Sequence, residues 1–354
     1  MNNNRKIFTA VLAGVIFLGL SFSAAAKPFK NVVVIVTMPV PACETHLAAF
    51  VSQLTELGYK DGENMALTII RANGDRAFAE TELQKVVKAG RPDVVATIAT
   101  LASQAAVNVL KNTEVPVFFF QVSDPVGAGL VEKIGEPTGT NVSGRTFTVP
   151  AEVRTSLVMR LAGRTIPEKR PVRFGYIHST YPSAKGDMLA LAAVEKFRND
   201  MVFDTYEIPY KKVPEGVPEM LAKAVAGIHT LSDTVDFWWE PQGPLGELDA
   251  FTRLLLDRST VPVAMGQTME SVKMGALMHI TPDLVAGGEE AAKLVDAILK
   301  DADPGTIPVT APATFTLGIN IATALRLHIV VPPDILELAG DNIYRSYRLP
   351  GHNK

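Results

Sequence analysis

Hydrophobic positions in the first part of the chain alternate between two kinds of pattern. Continuous β-branched apolar runs are typical of strands buried on both faces, and apolar residues at helical spacing follow them. The predicted strands are 31–37, 65–70, 93–97 and 115–120, and the predicted helices are 44–57, 76–89 and 101–110. This alternation predicts a parallel sheet covered by helices.

The same alternation begins again after Thr146, without a low-complexity linker. It predicts helices over 151–162, 183–199, 214–228 and 245–256, and strands over 172–177, 203–208, 235–239 and 261–265. Short strands at 276–280 and 313–317 flank an amphipathic helix over 283–300. We therefore predict an α/β protein with two doubly wound parallel-sheet lobes.

Length and composition agree with this reading and exclude several classes of protein. At roughly 150 residues per domain, 354 residues suggest about two domains. The chain is 47% hydrophobic and 20% charged, which excludes a disordered, collagenous or coiled-coil protein. The net charge of −3 and the lack of a dense Lys/Arg stripe argue against a nucleic-acid partner.

The N-terminus carries the pattern of an export signal. Arg5 and Lys6 precede an apolar stretch over 7–20, and small residues over 23–26 follow it. The alternative, a membrane anchor, would need about 20 apolar residues. We predict a signal peptide over 1–26, cleaved after Ala26, and location in the periplasm. Cys43 lies too far from the apolar stretch for a lipoprotein signal.

The predicted sheets also indicate where a ligand would bind. In open parallel sheets, ligands bind beyond the carboxyl ends of the strands. The loops at those ends are 37–43, 71–75, 98–101 and 121–127 in the first half, and 178–183, 209–213, 240–244 and 266–269 in the second. Two such crevices that face each other across a hinge would form a cleft that closes on a ligand.

Several polar residues in these loops suit a small charged ligand. Thr100 and Ser103 stand at a helix start, where free N–H groups favour a carboxylate, although Thr100 could equally be a plain N-cap. Asp124 could accept an ammonium group or could form the turn before Pro125. Glu240 is a second candidate for the ammonium group.

Motifs of catalysis are missing from the sequence. It contains no G-x-S-x-G, no Walker A loop and no H-E-x-x-H, and its six histidines form no i, i+4 pair. We therefore expect a protein that is not an enzyme and that needs no metal and no cofactor.

Motifs in order along the chain carry a family resemblance. They are Leu54–Gly62, Ala99–Ala106, Val122–Val131, Gly318–Asn320 and Leu327–Leu336. With these segments the chain resembles the ABC-transporter substrate-binding family that includes tryptophan- and other aromatic amino-acid-binding members. The similarity spans nearly the whole mature chain.

The resemblance implies a type I periplasmic-binding fold with crossovers near Thr146, Ile280 and Leu317. One lobe would contain 27–146 and 281–317, and the other 147–280 and 318–354. It implies a monomeric solute-binding component of an ABC importer, which captures an amino acid-like or other carboxylate-bearing molecule and delivers it to an inner-membrane permease. The alternative is a periplasmic sensor that reports to a separate membrane receptor or histidine kinase.

The resemblance also points to the loops of Thr100 and Asp124 as ligand contacts, and Glu44 stands where the family often has Asp. The loops of the second lobe depart from the family, since Pro241–Pro244 replaces the usual P-x-D-N. We infer a ligand that shares a carboxylate-like head with those of the family and differs elsewhere. The expected ligand contacts are Pro41, Glu44, Thr100, Leu101, Ser103, Gln121, Ser123, Asp124, His178, Glu240, Gln242 and Gln267.

Overall fold

A computed structural model describes residues 29–166 and 170–345. The predicted signal peptide lies outside these residues. Within them, none of the helices has the length and apolar character needed to cross a membrane.

The first sheet has five parallel strands in the order β2-β1-β3-β4-β5. They are β1 (Lys30–Val36), β2 (Met65–Arg71), β3 (Val94–Ile98), β4 (Val117–Val122) and β5 (Val142–Thr146). Every residue of β3, β4 and β5 is buried, as the continuous apolar runs predict.

Four helices accompany this sheet: α1 (Pro41–Glu56), α2 (Arg76–Ala89), α3 (Thr100–Leu110) and, from much later in the chain, α9 (Leu284–Leu299). Helix α9 packs along α1. Gly288 allows this close approach, because a Cβ there would lie 2.7 Å from the His46 carbonyl oxygen. The late amphipathic helix thus returns to the first sheet.

The second sheet has seven strands in the order β12-β11-β10-β9-β8-β6-β7. The strands are β6 (Val172–Ser179), β7 (Met201–Ile208), β8 (Phe237–Trp239), β9 (Val263–Met265), β10 (Met278–Pro282), β11 (Phe315–Asn320) and β12 (Ile343–Tyr344). Only the β10–β11 pair is antiparallel among the pairings of the described strands.

Helices surround the second sheet as well. They are α4 (Ala151–Leu161), α5 (Pro182–Glu195), α6 (Val217–Leu231), α7 (Asp249–Arg258), α8 (Met269–Met274), α10 (Ile321–Arg326) and α11 (Pro333–Ala339). A short 3-10 turn at Ala162–Arg164 follows α4, whereas the one at Pro304–Thr306 contacts β5 of the first sheet. Helix α4 is the first of these along the chain and directly follows the segment that joins the first sheet to the second.

The chain passes between the two bodies three times. It passes to the second sheet after β5, through residues 147–150, and returns to the first after β10, which ends at Pro282. It then passes from Thr310, which forms an isolated β-bridge with Arg145, to β11 of the second sheet. The lobe limits drawn from the sequence stay predictions, and the strand pairings put both 278–282 and 315–320 in the second sheet.

One element differs from its predicted bounds in a way that matters for the site. The helix predicted from Leu245 begins at Asp249 as α7. Gly246 lies so close to the Pro241 carbonyl oxygen that a Cβ would come within 1.8 Å of it. The segment 240–248 is therefore a compact loop, which we call the 240–248 loop, and it places Glu247 outside the helix.

The two lobes are closed against each other. One cluster of buried apolar residues contains Cys43 and Leu47 from α1 together with Tyr181 and Leu245 from the second lobe. At the edge of the contact, Lys212 Nζ lies 2.8 Å from Asp75 Oδ2.

Candidate functional site

A cavity of about 510 Å³ lies between the lobes, at the carboxyl ends of both sets of strands. Its first-lobe wall includes Met38, Pro41, Cys43, Thr100, Gln121 and Ser123. Its second-lobe wall includes Arg154, Tyr181, Gln242, Glu247, Gln267 and His279. Phe147, Thr148 and Val149, on the segment that joins the two lobes after β5, also line the cavity.

The structure brings half of the expected contact residues to this cavity. The residues on its wall are Pro41, Thr100, Gln121, Ser123, Gln242 and Gln267, and those away from it are Glu44, Leu101, Ser103, Asp124, His178 and Glu240. The role of each as a ligand contact stays a prediction. The polar residues of the second group have other partners, and the Leu101 side chain packs against the apolar core.

Three of these first-lobe residues are engaged locally. Glu44 pairs with Arg71 on the protein surface. Asp124 Oδ1 accepts a 2.8 Å hydrogen bond from the Gly127 N–H, which is the turn-forming role that the sequence left open. Ser103 Oγ donates to the Ala99 carbonyl oxygen at 2.8 Å and shares a hydrogen bond with Thr97.

The second-lobe candidates away from the wall are buried. His178 Nδ1 lies 3.2 Å from the Ser179 carbonyl oxygen, and burial lowers the pKa of its imidazole. Glu240 is fully buried, and its Oε2 accepts a 2.7 Å hydrogen bond from the Gln267 N–H. Burial raises the pKa of Glu240 to about 7. Glu240 therefore positions the backbone of Gln267, which does reach the cavity.

The start of α3 offers a free hydrogen-bond donor to the cavity. Ala99 has a φ of 69°, which turns the chain sharply between β3 and the helix. Thr37 Oγ1 accepts the Ala102 N–H at 3.0 Å. The Thr100 N–H donates no hydrogen bond to any described residue, so this end of the helix can bind an anion.

Gln121 reaches the cavity through an irregularity of β4. The β4–β5 register shifts between Phe119 and Val122, and Gln121 has a φ of 60°. Such bulges redirect a side chain out of its regular alternation. The Gln121 side chain is 9% exposed, and its Oε1 has no hydrogen-bond partner among the described residues.

Arg154 is a cavity residue that the sequence reasoning missed. It lies on α4, is 5% exposed, and donates from Nε to the Val149 carbonyl oxygen at 3.0 Å. Its Nη2 pairs with buried Asp187, which also accepts a 2.7 Å hydrogen bond from Tyr176. Nη1 makes no hydrogen bond with a described residue. A guanidinium held rigidly by two partners thus presents one free edge to the cavity.

Tyr181 and Glu247 are two further wall residues that the expected contacts did not include. Tyr181 is 2% exposed, and its hydroxyl has no hydrogen-bond partner in the described part of the chain. Glu247 is half-buried; its backbone N–H donates to the Gly243 carbonyl oxygen, and its carboxylate makes neither a hydrogen bond nor an ion pair with a described residue. Desolvation raises the pKa of Glu247 to about 7. The signal available in the sequence was the Pro241-Gln-Gly-Pro-Leu-Gly segment, which opposes a helix at Glu247.

Comparison with known proteins gives matches over most of the chain. The family model described as "ABC transporter substrate binding protein" matches residues 31–179 and 255–343. A tyrosine-binding protein of Clostridioides difficile (strain R20291) is 24% identical over 97% of this chain and 96% of its own length.

Solved structures show the same fold. The ABC domain of Streptococcus pneumonia in complex with L-Trp is 23% identical, with a TM-score of 0.73 over 88% of this chain and 99% of that chain. A conserved domain protein from Vibrio cholerae is 24% identical, with a TM-score of 0.71 over 89% and 99%. Both the predicted α/β fold of type I periplasmic-binding proteins and the predicted family are confirmed: the chain belongs to the ABC transporter substrate-binding proteins.

Proposed function

We propose that this protein is the exported solute-binding component of an ABC importer. In this proposal it captures a carboxylate-bearing, amino acid-like molecule between its lobes in the periplasm and presents it to a membrane permease. The observation that carries the proposal is the cavity between the closed lobes, onto which the free edge of the Arg154 guanidinium opens.

The dimensions of the cavity suit a small molecule. A volume of about 510 Å³ falls within the 300–1,000 Å³ typical of small-molecule sites. Met38, Met265 and Phe147 supply apolar wall for the body of a ligand, and a few polar groups remain to fix its orientation.

The chemistry of the wall suits a carboxylate. Arg154 offers Nη1, and the Thr100 N–H offers a further donor from the other lobe. A planar guanidinium matches the geometry of a carboxylate, and a helix N-terminus favours negative charge. The tyrosine-binding relative and the L-Trp complex support an amino acid as the type of ligand.

The mechanism follows from where these groups lie. A ligand that contacts Arg154 on one lobe and Thr100 on the other binds the closed state better than an open one. It therefore shifts the population toward closure, and no bond of the ligand needs to be broken. Release to the permease then requires the lobes to separate.

The ligand itself provides the first test. Mass spectrometry of small molecules that co-purify with the native protein should find a carboxylate-bearing compound. Thermal-shift measurements with the twenty amino acids, sugars and inorganic cations should show stabilisation by one or a few amino acids. Stabilisation by sugars or cations alone would overturn the proposal.

Paired variants on α4 test the assignment of Arg154. Arg154→Met should abolish the shift caused by the amino acid. Arg160→Met, on the same helix, removes a surface arginine that pairs with Asp334 at 2.8 Å and should leave binding unchanged. Deletion of the gene should abolish uptake of the same solute if the protein serves an importer.

A further inference from the structure

Two contacts join the lobes outside the cavity, and each of them contains a glycine. Gly74 of the first lobe lies in the loop between β2 and α2, and Gly186 of the second lobe lies inside α5. Each receives a side chain from the opposite lobe: Tyr210 lies against Gly74, and Asp124 lies against Gly186. None of these four residues lines the cavity. We call the two contacts the glycine notches.

The first notch has no room for a side chain. A Cβ on Gly74 would lie 2.5 Å from the Tyr210 hydroxyl oxygen, and the φ of 73° at Gly74 is one that glycine adopts without strain. Tyr210 is held from its own lobe: its N–H donates to Thr180 Oγ1 at 2.9 Å, and its ring packs against Tyr181 with centroids 4.9 Å apart. The Tyr210 hydroxyl therefore meets the first lobe in a fixed position.

The second notch is part of a helix. A Cβ on Gly186 would lie 3.0 Å from Asp124 Oδ2 and 3.2 Å from Asp124 Cβ, closer than the roughly 3.5–4.0 Å of a relaxed carbon–carbon contact. Asp124 is fixed by the 2.8 Å hydrogen bond that it accepts from the Gly127 N–H. Glycine inside a helix is destabilising relative to alanine, so helix formation does not account for Gly186. What this glycine provides is room for the opposite lobe.

We propose that Gly74 and Gly186 are positioning residues for ligand capture, which leave the clearance that lets the two lobes meet fully. A side chain on either glycine would touch the opposite lobe before closure is complete. It would therefore oppose the closed state without touching the ligand, whereas shortening a partner side chain leaves the clearance intact. The inference rests on the proposed function, in which closure captures the ligand, and it adds a determinant of affinity outside the cavity.

Cross-linking between the lobes measures closure without a ligand. Lys212 Nζ lies 2.8 Å from Asp75 Oδ2 across the contact, so Asp75→Cys together with Lys212→Cys gives each lobe one thiol there. Cys43→Ala removes the single cysteine of the native chain. A short bismaleimide joins the two thiols only in closed molecules, and its reaction rate in this parent protein reports the population of the closed state.

The second notch is tested by adding a side chain to α5. Gly186→Leu in the parent protein should lower the cross-linking rate about tenfold, because the leucine meets Asp124 before the lobes have closed. Leucine favours a helix more than glycine does, so this variant should melt at no lower a temperature than the parent. Ala190→Leu adds the same side chain at an exposed position of α5 and should leave the rate unchanged. In the native background, Gly186→Leu should bind the amino acid that gives the largest thermal shift about tenfold more weakly.

The first notch allows a rescue experiment. Gly74→Ala should also lower the cross-linking rate about tenfold, since its Cβ meets the Tyr210 hydroxyl. Tyr210→Phe removes that oxygen, and the next nearest atoms lie 3.7 Å from the Cβ position. Tyr210→Phe alone should therefore close like the parent, and combined with Gly74→Ala it should restore most of the rate. Backbone strain from alanine at a positive φ is the same with and without Tyr210→Phe, so strain cannot produce the rescue.

The outcomes separate this inference from the proposed function. Cross-linking of Gly186→Leu at the parent rate overturns the inference, as does a parent protein that does not cross-link at all. Should Gly186→Leu fail to fold, the rescue decides: a Gly74→Ala protein that closes like the parent, or one that Tyr210→Phe does not restore, overturns the inference. A protein that binds no amino acid and no carboxylic acid yet shows the expected rates refutes the proposed function alone.

Discussion

The buried carboxyl of Glu240 offers a sharp test of the electrostatics of the second lobe. Glu240→Gln keeps the shape of the side chain, and an amide oxygen can still accept the 2.7 Å hydrogen bond from the Gln267 N–H. What the substitution removes is an ionisable group whose pKa is raised to about 7 because the side chain is completely buried.

The sign and size of the effect follow from the two pKa values. In the unfolded chain the carboxyl ionises near its ordinary pKa of 4.5, but in the folded protein it stays protonated up to about pH 7. Stability from this group is therefore complete below about pH 4.5 and is lost as the pH rises to about 7. A difference of about 2.5 pKa units corresponds to about 3 kcal/mol.

Urea denaturation of the wild type and the variant from pH 4.5 to 8.5 measures this directly. At pH 4.5 the variant should have a free energy of unfolding similar to that of the wild type. At pH 8.5 its free energy of unfolding should be higher than that of the wild type by up to about 3 kcal/mol. Glu152→Gln, on the exposed side of α4, controls for the loss of one negative charge. A stability difference between wild type and Glu240→Gln that does not vary with pH would refute the reasoning.

Other variants follow from individual contacts. Arg154→Met leaves Asp187 buried without its cation and should lower the free energy of unfolding by about 3–5 kcal/mol, as measured by urea denaturation. Asp124→Ala should cost about 1 kcal/mol of stability and leave ligand affinity unchanged in calorimetry, because its carboxylate caps a turn. Tyr181→Phe should stabilise the ligand-free protein slightly in urea denaturation, since it removes a buried hydroxyl that has no hydrogen-bond partner among the described residues. Lys212→Ala removes an exposed ion pair between the lobes and should weaken binding less than about fivefold, an effect that disappears in 0.5 M salt.

The sequence predicts most of the fold because the central strands are buried on both faces. Runs such as 31–37 and 115–120 have no polar face to blur the pattern, and the structure places strands there. The position of α9 against α1 could not follow from periodicity, which identifies an amphipathic face without naming what covers it. The resemblance supplied that return of the chain to the first lobe.

The site was predicted less well, for identifiable physical reasons. The rule that ligands bind at the carboxyl ends of strands points to the loops that line the cavity, but it cannot tell a free side chain from an occupied one. In the sequence, Asp124 and Glu240 cannot be distinguished from a carboxylate that binds an ammonium group. In the structure, backbone N–H groups donate hydrogen bonds to both. Arg154 stood inside a predicted helix, and nothing in the spacing shows that its Nη1 faces a cavity.

The groups that lack partners on the cavity wall connect recognition to closure. Gln121 Oε1, Gln242 Oε1 and the Tyr181 hydroxyl are buried without hydrogen-bond partners among the described residues when the lobes are closed. Each such group costs about 1–3 kcal/mol relative to a hydrated one. Separation of the lobes would return them to water, so their desolvation opposes closure, and a ligand that satisfies them shifts the population toward the closed state. The same atoms can thus select the ligand and couple its capture to the movement of the lobes.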